Sequence, residues 1–142
     1  MMNIKFLSAL ALVLAMGDAL AGDVVVIGHD GMGELDTITV KRIYTGKLVK
    51  VNGIDLTAVN IRPCPLRDHF LKDFLDRSEE KYTAYWTIRH FVGKGAPLME
   101  LPDTAEVIRF VQSTPGAIGY IDEDDLLPGV NVIARKHTDS EK

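Results

Sequence analysis

A run of four β-branched residues at positions 24–27 constrains this chain more than any other feature of its sequence. The run is Val-Val-Val-Ile, it carries no polar side chain, and Gly28 follows it directly. Continuous apolar runs of this length are typical of strands that are buried on both faces, and such strands belong mainly to α/β sheets that helices cover. The sequence therefore predicts an α/β domain that opens with a buried strand.

Three later segments have the spacing and the end signals of helices. Pro65 is suited to a first helical turn, and the apolar residues after it fall on one helical face, namely Leu66, Phe70, Leu71, Phe74 and Leu75. Ser78 predicts the N-cap of a second helix, which carries the aromatic residues Tyr82, Tyr85, Trp86 and Phe91. A third helix is predicted to begin at Asp103 or Thr104 and to stop before Thr114.

The rest of the domain favours short strands and turns. Residues 37–44 are ambiguous, because the first half alternates like a strand whereas the second half has helical apolar spacing. Asn52-Gly53 predicts the turn of a small hairpin within residues 47–55. Further short strands are predicted over residues 56–61, 117–121 and 130–133, followed by a frayed polar tail over 137–142.

The N-terminal segment has the pattern of a signal peptide. Lys5 precedes an apolar run at residues 6–16, and an Ala-Leu-Ala site follows at the spacing that a signal peptidase requires. The run is about half the length that a bilayer-spanning helix needs. We therefore expect residues 1–21 to be removed and residues 22–142 to form a single domain, periplasmic or secreted, with no membrane insertion after the signal is removed.

Composition narrows the function classes. The chain has 16 Lys and Arg against 20 Asp and Glu, a net charge of −4, which lacks the basic excess that nucleic-acid binding requires. Cys64 is the single cysteine, and its proline neighbours favour a semi-buried structural thiol over a catalytic nucleophile. Metal-ligand spacings and nucleophile motifs are missing from the sequence, so we expect no catalytic residues, no metal, no cofactor and no enzyme activity.

Arg62 and Arg67 lie on either side of the junction between a predicted core strand and the helix that begins near Pro65. Backbone N–H groups at a helix start have no intrahelical partner, and the helix dipole favours negative charge there, so two guanidinium groups beside it are suited to phosphate or carboxylate. The alternative is that Arg67 pairs with Asp68 or Asp103 and that Arg62 lies on the surface. The residues alone leave both interpretations open.

The glycine-rich residues 28–33 follow the first predicted strand, which is where phosphate-holding loops occur. They lack the Lys-Ser/Thr pair of nucleotide-binding loops. A turn that carries the chain away from the strand is therefore the favoured interpretation, with a ligand loop as the alternative.

Several short motifs follow one another in a fixed order between residues 38 and 121. They are Arg42-Ile43-Tyr44-Thr45-Gly46-Lys47, Val59-Asn60-Ile61-Arg62, Arg67-Asp68-His69-Phe70, Tyr85-Trp86, Phe91-Val92-Gly93-Lys94-Gly95, Pro97 and Pro115-Gly116-Ala117-Ile118-Gly119-Tyr120. This ordered set resembles the phosphate transport substrate-binding proteins, especially their short single-lobe relatives. The resemblance implies a single periplasmic-binding-protein-like lobe of three layers, with a small mixed sheet flanked by helices, and a helix over residues 39–44.

In the full-length members of that family, two α/β lobes close on phosphate, and one lobe supplies an Arg together with a Ser-Gly-Thr at a helix N-terminus. Arg62 stands where that Arg is expected, but the helix start here reads Pro65-Leu66-Arg67-Asp68 and lacks the hydroxyl donors. The resemblance implies a weak half-site for phosphate or a similar small anion at Arg62, Leu66, Arg67 and Asp68, with a membrane transporter as partner. The alternative is a ligand-free interaction module whose former cleft face contacts a receptor or, in a homodimer, a second copy.

Overall fold

The structure is a computed structural model, and it describes residues 22–136. The helices are α1 (Thr37–Tyr44), α2 (Pro65–Phe70), α3 (Glu79–Phe91) and α4 (Thr104–Ser113), and the strands are β1 (Val24–Gly28), β2 (Lys50–Val51), β3 (Ile54–Asp55), β4 (Thr57–Ala58), β5 (Asn60–Ile61), β6 (Glu100–Leu101), β7 (Ala117–Asp122) and β8 (Asn131–Arg135). A π-helical turn, Leu71–Leu75, continues α2, and a 3₁₀ turn, Glu123–Asp125, follows β7. The predicted signal peptide and the predicted tail lie outside the described residues. Among residues 22–136, no helix is long and apolar enough to cross a membrane.

A mixed four-stranded sheet forms the centre of the domain, with the strand order β4-β7-β1-β8. β1 runs antiparallel to both of its neighbours, whereas β4 runs parallel to β7. All five residues of β1 are buried, which confirms the predicted buried strand. The predicted hairpin is β2-β3, and its turn places Asn52 and Gly53 at φ values of 49° and 77°, in the left-handed region that Asn and Gly tolerate best.

The side chains of β1 alternate between two hydrophobic clusters, one on each face of the sheet. Val24 and Val26 join an aromatic-rich cluster formed with α1, α2, the π-helical turn and α3. Val25 and Ile27 join a cluster formed with α4, and its buried members are all aliphatic. The domain therefore has the three layers that the resemblance implies, with a small mixed sheet between helices.

Side-chain caps decide where three of the helices begin. Asp36, Ser78 and Asp103 each accept a hydrogen bond from the backbone N–H three residues later, at 2.7, 3.3 and 2.9 Å. Each bond satisfies a donor that the helix itself leaves without a partner. The predicted starts at Ser78 and Asp103 are confirmed, and the ambiguous segment that ends at Tyr44 is helical.

Two predicted elements are subdivided in the structure. The single strand predicted over residues 56–61 is wrong, because β4 pairs with β7 while β5 pairs with β6 in a separate two-stranded sheet. The helix predicted over residues 65–75 is α-helical only as far as Phe70, and its second half is π-helical. It ends at Asp76, whose φ of 53° places the backbone in the left-handed region and stops the helix.

Candidate functional site

The start of α2 is the place where the sequence predicts an anion site. Cys64 is the N-cap residue, but its half-buried side chain makes no capping hydrogen bond and packs against the aromatic-rich cluster. The N–H of Asp68 donates to the carbonyl of Cys64 at 3.0 Å, which closes the first turn. Because Pro65 has no N–H, the amides of Leu66 and Arg67 are the two backbone donors that the helix leaves without an intrahelical partner.

Arg62 follows β5 directly, and two residues separate it from the start of α2. Its side chain is exposed, which is the surface position that the alternative interpretation gave to this residue. Its backbone N–H donates to the carbonyl of Leu101 at 2.9 Å and so extends the β5-β6 pairing by one bond. The backbone of Arg62 is therefore fixed, while its guanidinium reaches water and can contact an anion there.

Arg67 is buried, with only 4% of its surface exposed. Its Nε and Nη2 each donate to a carboxylate oxygen of Glu79 at 2.8 Å. Its Nη1 donates to Glu100 at 2.6 Å and to the carbonyl of Ile61 at 3.1 Å. The expectation that this side chain faces an anion is therefore corrected, because two carboxylates neutralise the guanidinium and four of its five N–H groups already donate to Glu79, Glu100 and Ile61.

The ion partners of Arg67 come from distant parts of the chain. Glu79 lies 12 residues away at the start of α3, and Glu100 lies 33 residues away in β6. They replace Asp68 and Asp103, the partners that the sequence offered as the alternative. Burial by itself lowers the pKa of Arg67, but the hydrogen bonds with Glu100 and Glu79 outweigh it and leave that pKa raised. Arg67 therefore remains charged and joins β5, α2, α3 and β6.

Buried polar groups of α1, β5, α3 and β7 form a chain of hydrogen bonds. The Tyr120 hydroxyl donates to Asn60 Oδ1 at 3.0 Å, Asn60 Nδ2 donates to the Tyr82 hydroxyl at 3.1 Å, and the Tyr82 hydroxyl donates to the carbonyl of Tyr44 at 3.0 Å. The Tyr44 hydroxyl donates to the carbonyl of Val59 at 2.9 Å. Burial raises the pKa of Tyr44, Tyr82 and Tyr120, so these hydroxyls stay protonated and can donate. Sequence reasoning missed this network, and a polar Asn60 inside a predicted core strand is its one signal.

Asp68 lies on the acidic side of the candidate site. A surface cavity of about 510 Å³ beside it is lined by Asp68, Lys72, Asp76, Arg77, Ser78, Glu79 and Glu80. Four carboxylates against two cations make this cavity unsuited to an anion. Of the predicted anion-binding set, the guanidinium of Arg62 is exposed, and the backbone amides of Leu66 and Arg67 have no intrahelical partner.

The glycine-rich segment after β1 forms a turn that is hydrogen-bonded to β8. The N–H of Met32 donates to the carbonyl of His29 at 3.1 Å, and Asn131 Nδ2 donates to the carbonyls of His29 and Met32 at 3.1 and 2.8 Å. Gly31 has a φ of 87°, which favours glycine at the tip of the turn. These bonds support the turn interpretation. Across the described part of the chain, no group of three or more His, Cys, Asp or Glu side chains could hold a metal ion.

No protein-family model matches the chain, and no curated protein matches its sequence. Solved structures do match its fold. One is an ABC-type phosphate transport receptor from Vibrio cholerae, with a TM-score of 0.53 and 13% identity over 81% of this chain and 48% of the receptor. Another is a phosphate ABC transporter substrate-binding protein with bound phosphate from Clostridium perfringens, with a TM-score of 0.51 and 19% identity over 78% of this chain and 44% of that protein. The chain therefore has the fold of these proteins and spans about half of their length.

Proposed function

We propose that this chain is a binding lobe for phosphate or a similar small anion, with a role related to that of phosphate transport receptors, and that it does not catalyse a reaction. The observation that carries the proposal is the fold shared with two such proteins, one of which was solved with phosphate bound. Both are transport proteins, which favours binding over catalysis. The TM-scores of 0.53 and 0.51 support a common fold, and because the identities are only 13% and 19%, anion binding by this chain is the step that needs an experiment.

The proposed site is the surface at the start of α2. Arg62 supplies an exposed guanidinium, and the backbone amides of Leu66 and Arg67 supply donors at the positive end of the helix. The Arg67 side chain supports this surface from inside through Glu79 and Glu100. Because residues 62–68 contain no hydroxyl side chain and water reaches the site, we expect a dissociation constant on the order of 1 mM.

We also propose that the chain is exported and works beside a membrane transporter. The signal-peptide pattern of residues 1–21 supports export, and the two matching transport proteins support the kind of partner. Mass spectrometry of the protein recovered from the producing cells tests export directly. A mature N-terminus at Gly22 is the expected result, and recovery of the chain with residues 1–21 still attached contradicts it.

A second candidate function is a ligand-free interaction module, and the environment of Arg67 favours it. The Arg67 guanidinium is buried and already donates to Glu79 and Glu100, so its charge is compensated inside the protein. In this function the surface around Arg62 contacts a receptor or a second copy of the chain. Light scattering over a concentration series detects the second copy as a rise in molecular mass.

Calorimetric titration of the purified chain with phosphate separates the two candidates. We expect heat of binding with phosphate but not with chloride at equal ionic strength, and we expect Arg62→Ala to remove it. Arg109→Ala is the matched control, because Arg109 is an exposed arginine on α4, away from the site. If the unmodified chain shows no phosphate heat, or if Arg62→Ala binds phosphate equally well, the anion-binding function is wrong and the interaction module replaces it.

A further inference from the structure

Charge is divided unevenly over this molecule. Residues 37–54 and 81–99 together carry seven basic side chains and no acidic one, although the whole chain has a net charge of −4. The seven are Lys41, Arg42, Lys47, Lys50, Lys81, Arg89 and Lys94. The other 105 residues carry 9 basic and 20 acidic side chains. An acidic protein therefore contains two locally cationic segments.

These two segments contact each other in the structure. Arg89 Nη2 donates to the carbonyl of Gly46 at 3.0 Å, and the Tyr85 hydroxyl donates to the carbonyl of Thr45 at 2.6 Å. A cavity of about 200 Å³ lies between the segments, and its lining includes Lys94 and no acidic side chain. We call the exposed parts of residues 46–50 and 88–96 the cationic surface. Lys50 on this surface pairs with Asp55 of the β2-β3 hairpin at 3.3 Å.

Large apolar side chains are exposed on the cationic surface. Phe91 is 90% exposed, and Val49, Ile88 and Val92 are 67%, 65% and 58% exposed. Ile88, Phe91 and Val92 lie three and four residues apart, so they share one side of the end of α3. Every residue from 90 to 97 is exposed, so the end of α3 and the loop that follows it face solvent. Exposed apolar side chains that cluster among cations mark an interaction surface.

We propose that the cationic surface binds an anionic phospholipid bilayer. Phe91 and Val92 enter the headgroup region, and Lys47 and Lys94 face the lipid phosphates. A bilayer buries a protruding side chain without needing a complementary pocket, and the combination of basic and apolar side chains on one surface is what binds peripheral proteins to anionic lipid. This inference does not depend on the proposed anion site, which lies at the start of α2.

Charge argues against a second copy of the chain as the occupant. A two-fold pairing through Ile88 and Phe91 would bring the same basic surface of two molecules together, and like charges repel. Glu80 is the nearest acidic residue along α3, and it lies eleven residues before Phe91, about 16 Å away along the helix axis. An acidic protein partner would satisfy the charge, but it would also have to supply a socket for the protruding Phe91.

Vesicle co-sedimentation tests the proposal. We expect the chain to sediment with vesicles of phosphatidylglycerol and phosphatidylcholine several-fold more than with vesicles of phosphatidylcholine alone, and we expect added salt to release it. Phe91→Ser and the double variant Lys47→Glu with Lys94→Glu should each lower binding several-fold. Leu127→Ser is the control for the apolar change, since Leu127 is 56% exposed and lies outside the cationic surface. Lys72→Glu is the corresponding control for the charge change.

The same experiment can overturn the proposal. Equal sedimentation with both kinds of vesicle, or unchanged binding by Phe91→Ser, rules out an anionic bilayer as the partner and leaves an acidic protein. A dimer in light scattering that Phe91→Ser dissociates instead identifies a second copy. Circular dichroism melting of each variant confirms that it folds. Arg62→Ala should keep vesicle binding, and Phe91→Ser should keep phosphate binding, so the failure of one proposal is distinct from the failure of the other.

Discussion

The two faces of the central sheet are held in different ways. On the face covered by α1, α2 and α3, the rings of Phe70 and Tyr120 stack with their centroids 3.8 Å apart, and Arg67 donates to two carboxylates. On the face covered by α4, the buried residues are aliphatic. Aromatic and hydrogen-bonded contacts have preferred directions, whereas aliphatic packing tolerates rearrangement. The face that carries the candidate site is therefore the one whose geometry is specified most narrowly.

The largest expected change in the free energy of unfolding comes from removing a buried side chain, and we compare one such side chain from each face. Phe70→Ala should lower the free energy of unfolding by about 4 kcal/mol, because it removes a fully buried ring that contacts Tyr44 and Tyr120. Val111→Ala, from α4, should cost about 2 kcal/mol, because it removes a smaller aliphatic side chain. Urea unfolding of both variants measures the difference. Equal losses would show that the aromatic face has no special role in stability.

The ion network gives the next largest effect. Arg67→Met should lower the free energy of unfolding by about 3 kcal/mol, since it leaves Glu79 and Glu100 without their partner. The loss stays moderate because the Glu79 and Glu100 side chains are 28% and 44% exposed to water. Changing both glutamates to Gln in the Arg67→Met background should restore part of the stability.

Arg109→Met is the control for the loss of an arginine that pairs on the surface. Its side chain is 71% exposed and pairs with Glu106 on α4, so little change in stability is expected. If Arg67→Met costs no more than Arg109→Met in urea unfolding, the buried network contributes nothing beyond a surface ion pair.

Alkaline pH should act on the aromatic face. Burial raises the pKa of Tyr44, Tyr82 and Tyr120 in the folded state, so the unfolded chain loses these protons first as pH rises. The stabilisation is complete below the unfolded value of about 10 and declines above it. Urea midpoints measured across this pH range should fall, and Tyr82→Phe should reduce the fall. A midpoint that is constant to pH values well above 10 would contradict the raised pKa values.

The smallest effects concern the helix caps, where the two faces should behave alike. Asp36→Ala at α1 and Asp103→Ala at α4 each remove one capping bond, so each should lower stability slightly and by a similar amount. Hydrogen bonds from Thr39 lower the pKa of Asp36, so its contribution is present above about pH 4 and is lost as pH falls through the lower folded value. Thermal unfolding at neutral and acid pH tests both statements. A much larger loss of thermal stability in one of the two variants would mean that the helix caps on the two faces differ in strength.

Local signals made much of this fold predictable. Asp103 and Ser78 mark helix starts because each side-chain oxygen accepts a hydrogen bond from the backbone N–H three residues later. This bond does not depend on where the helix packs in the fold. Asn52 and Gly53 mark the hairpin because few residues accept positive φ. The prediction of a buried first strand also rested on local composition, since an all-apolar strand has no face to offer to water.

The candidate site depended on contacts that no local pattern reveals. Arg62 is exposed, whereas Arg67 is buried. Burial of the Arg67 charge is tolerated because Glu79 from α3 and Glu100 from β6 both pair with it. The predicted strand over residues 56–61 was divided for a similar reason, since its two halves find partners in β7 and in β6.

The sequence by itself determined the α/β class, the helix starts at Pro65, Ser78 and Asp103, and the hairpin, because these depend on interactions between near neighbours in the chain. Its ordered short motifs predicted the receptor fold by resemblance. Only the tertiary structure decided which arginine faces water and which polar groups form the buried network. It also decided that the two locally cationic segments, residues 37–54 and 81–99, contact each other and that Phe91 is exposed. The physical reason is that burial and ion pairing are set by the whole arrangement of elements. The residue type gives the sign of a charge, but whether that charge is available to a ligand depends on whether distant side chains already pair with it.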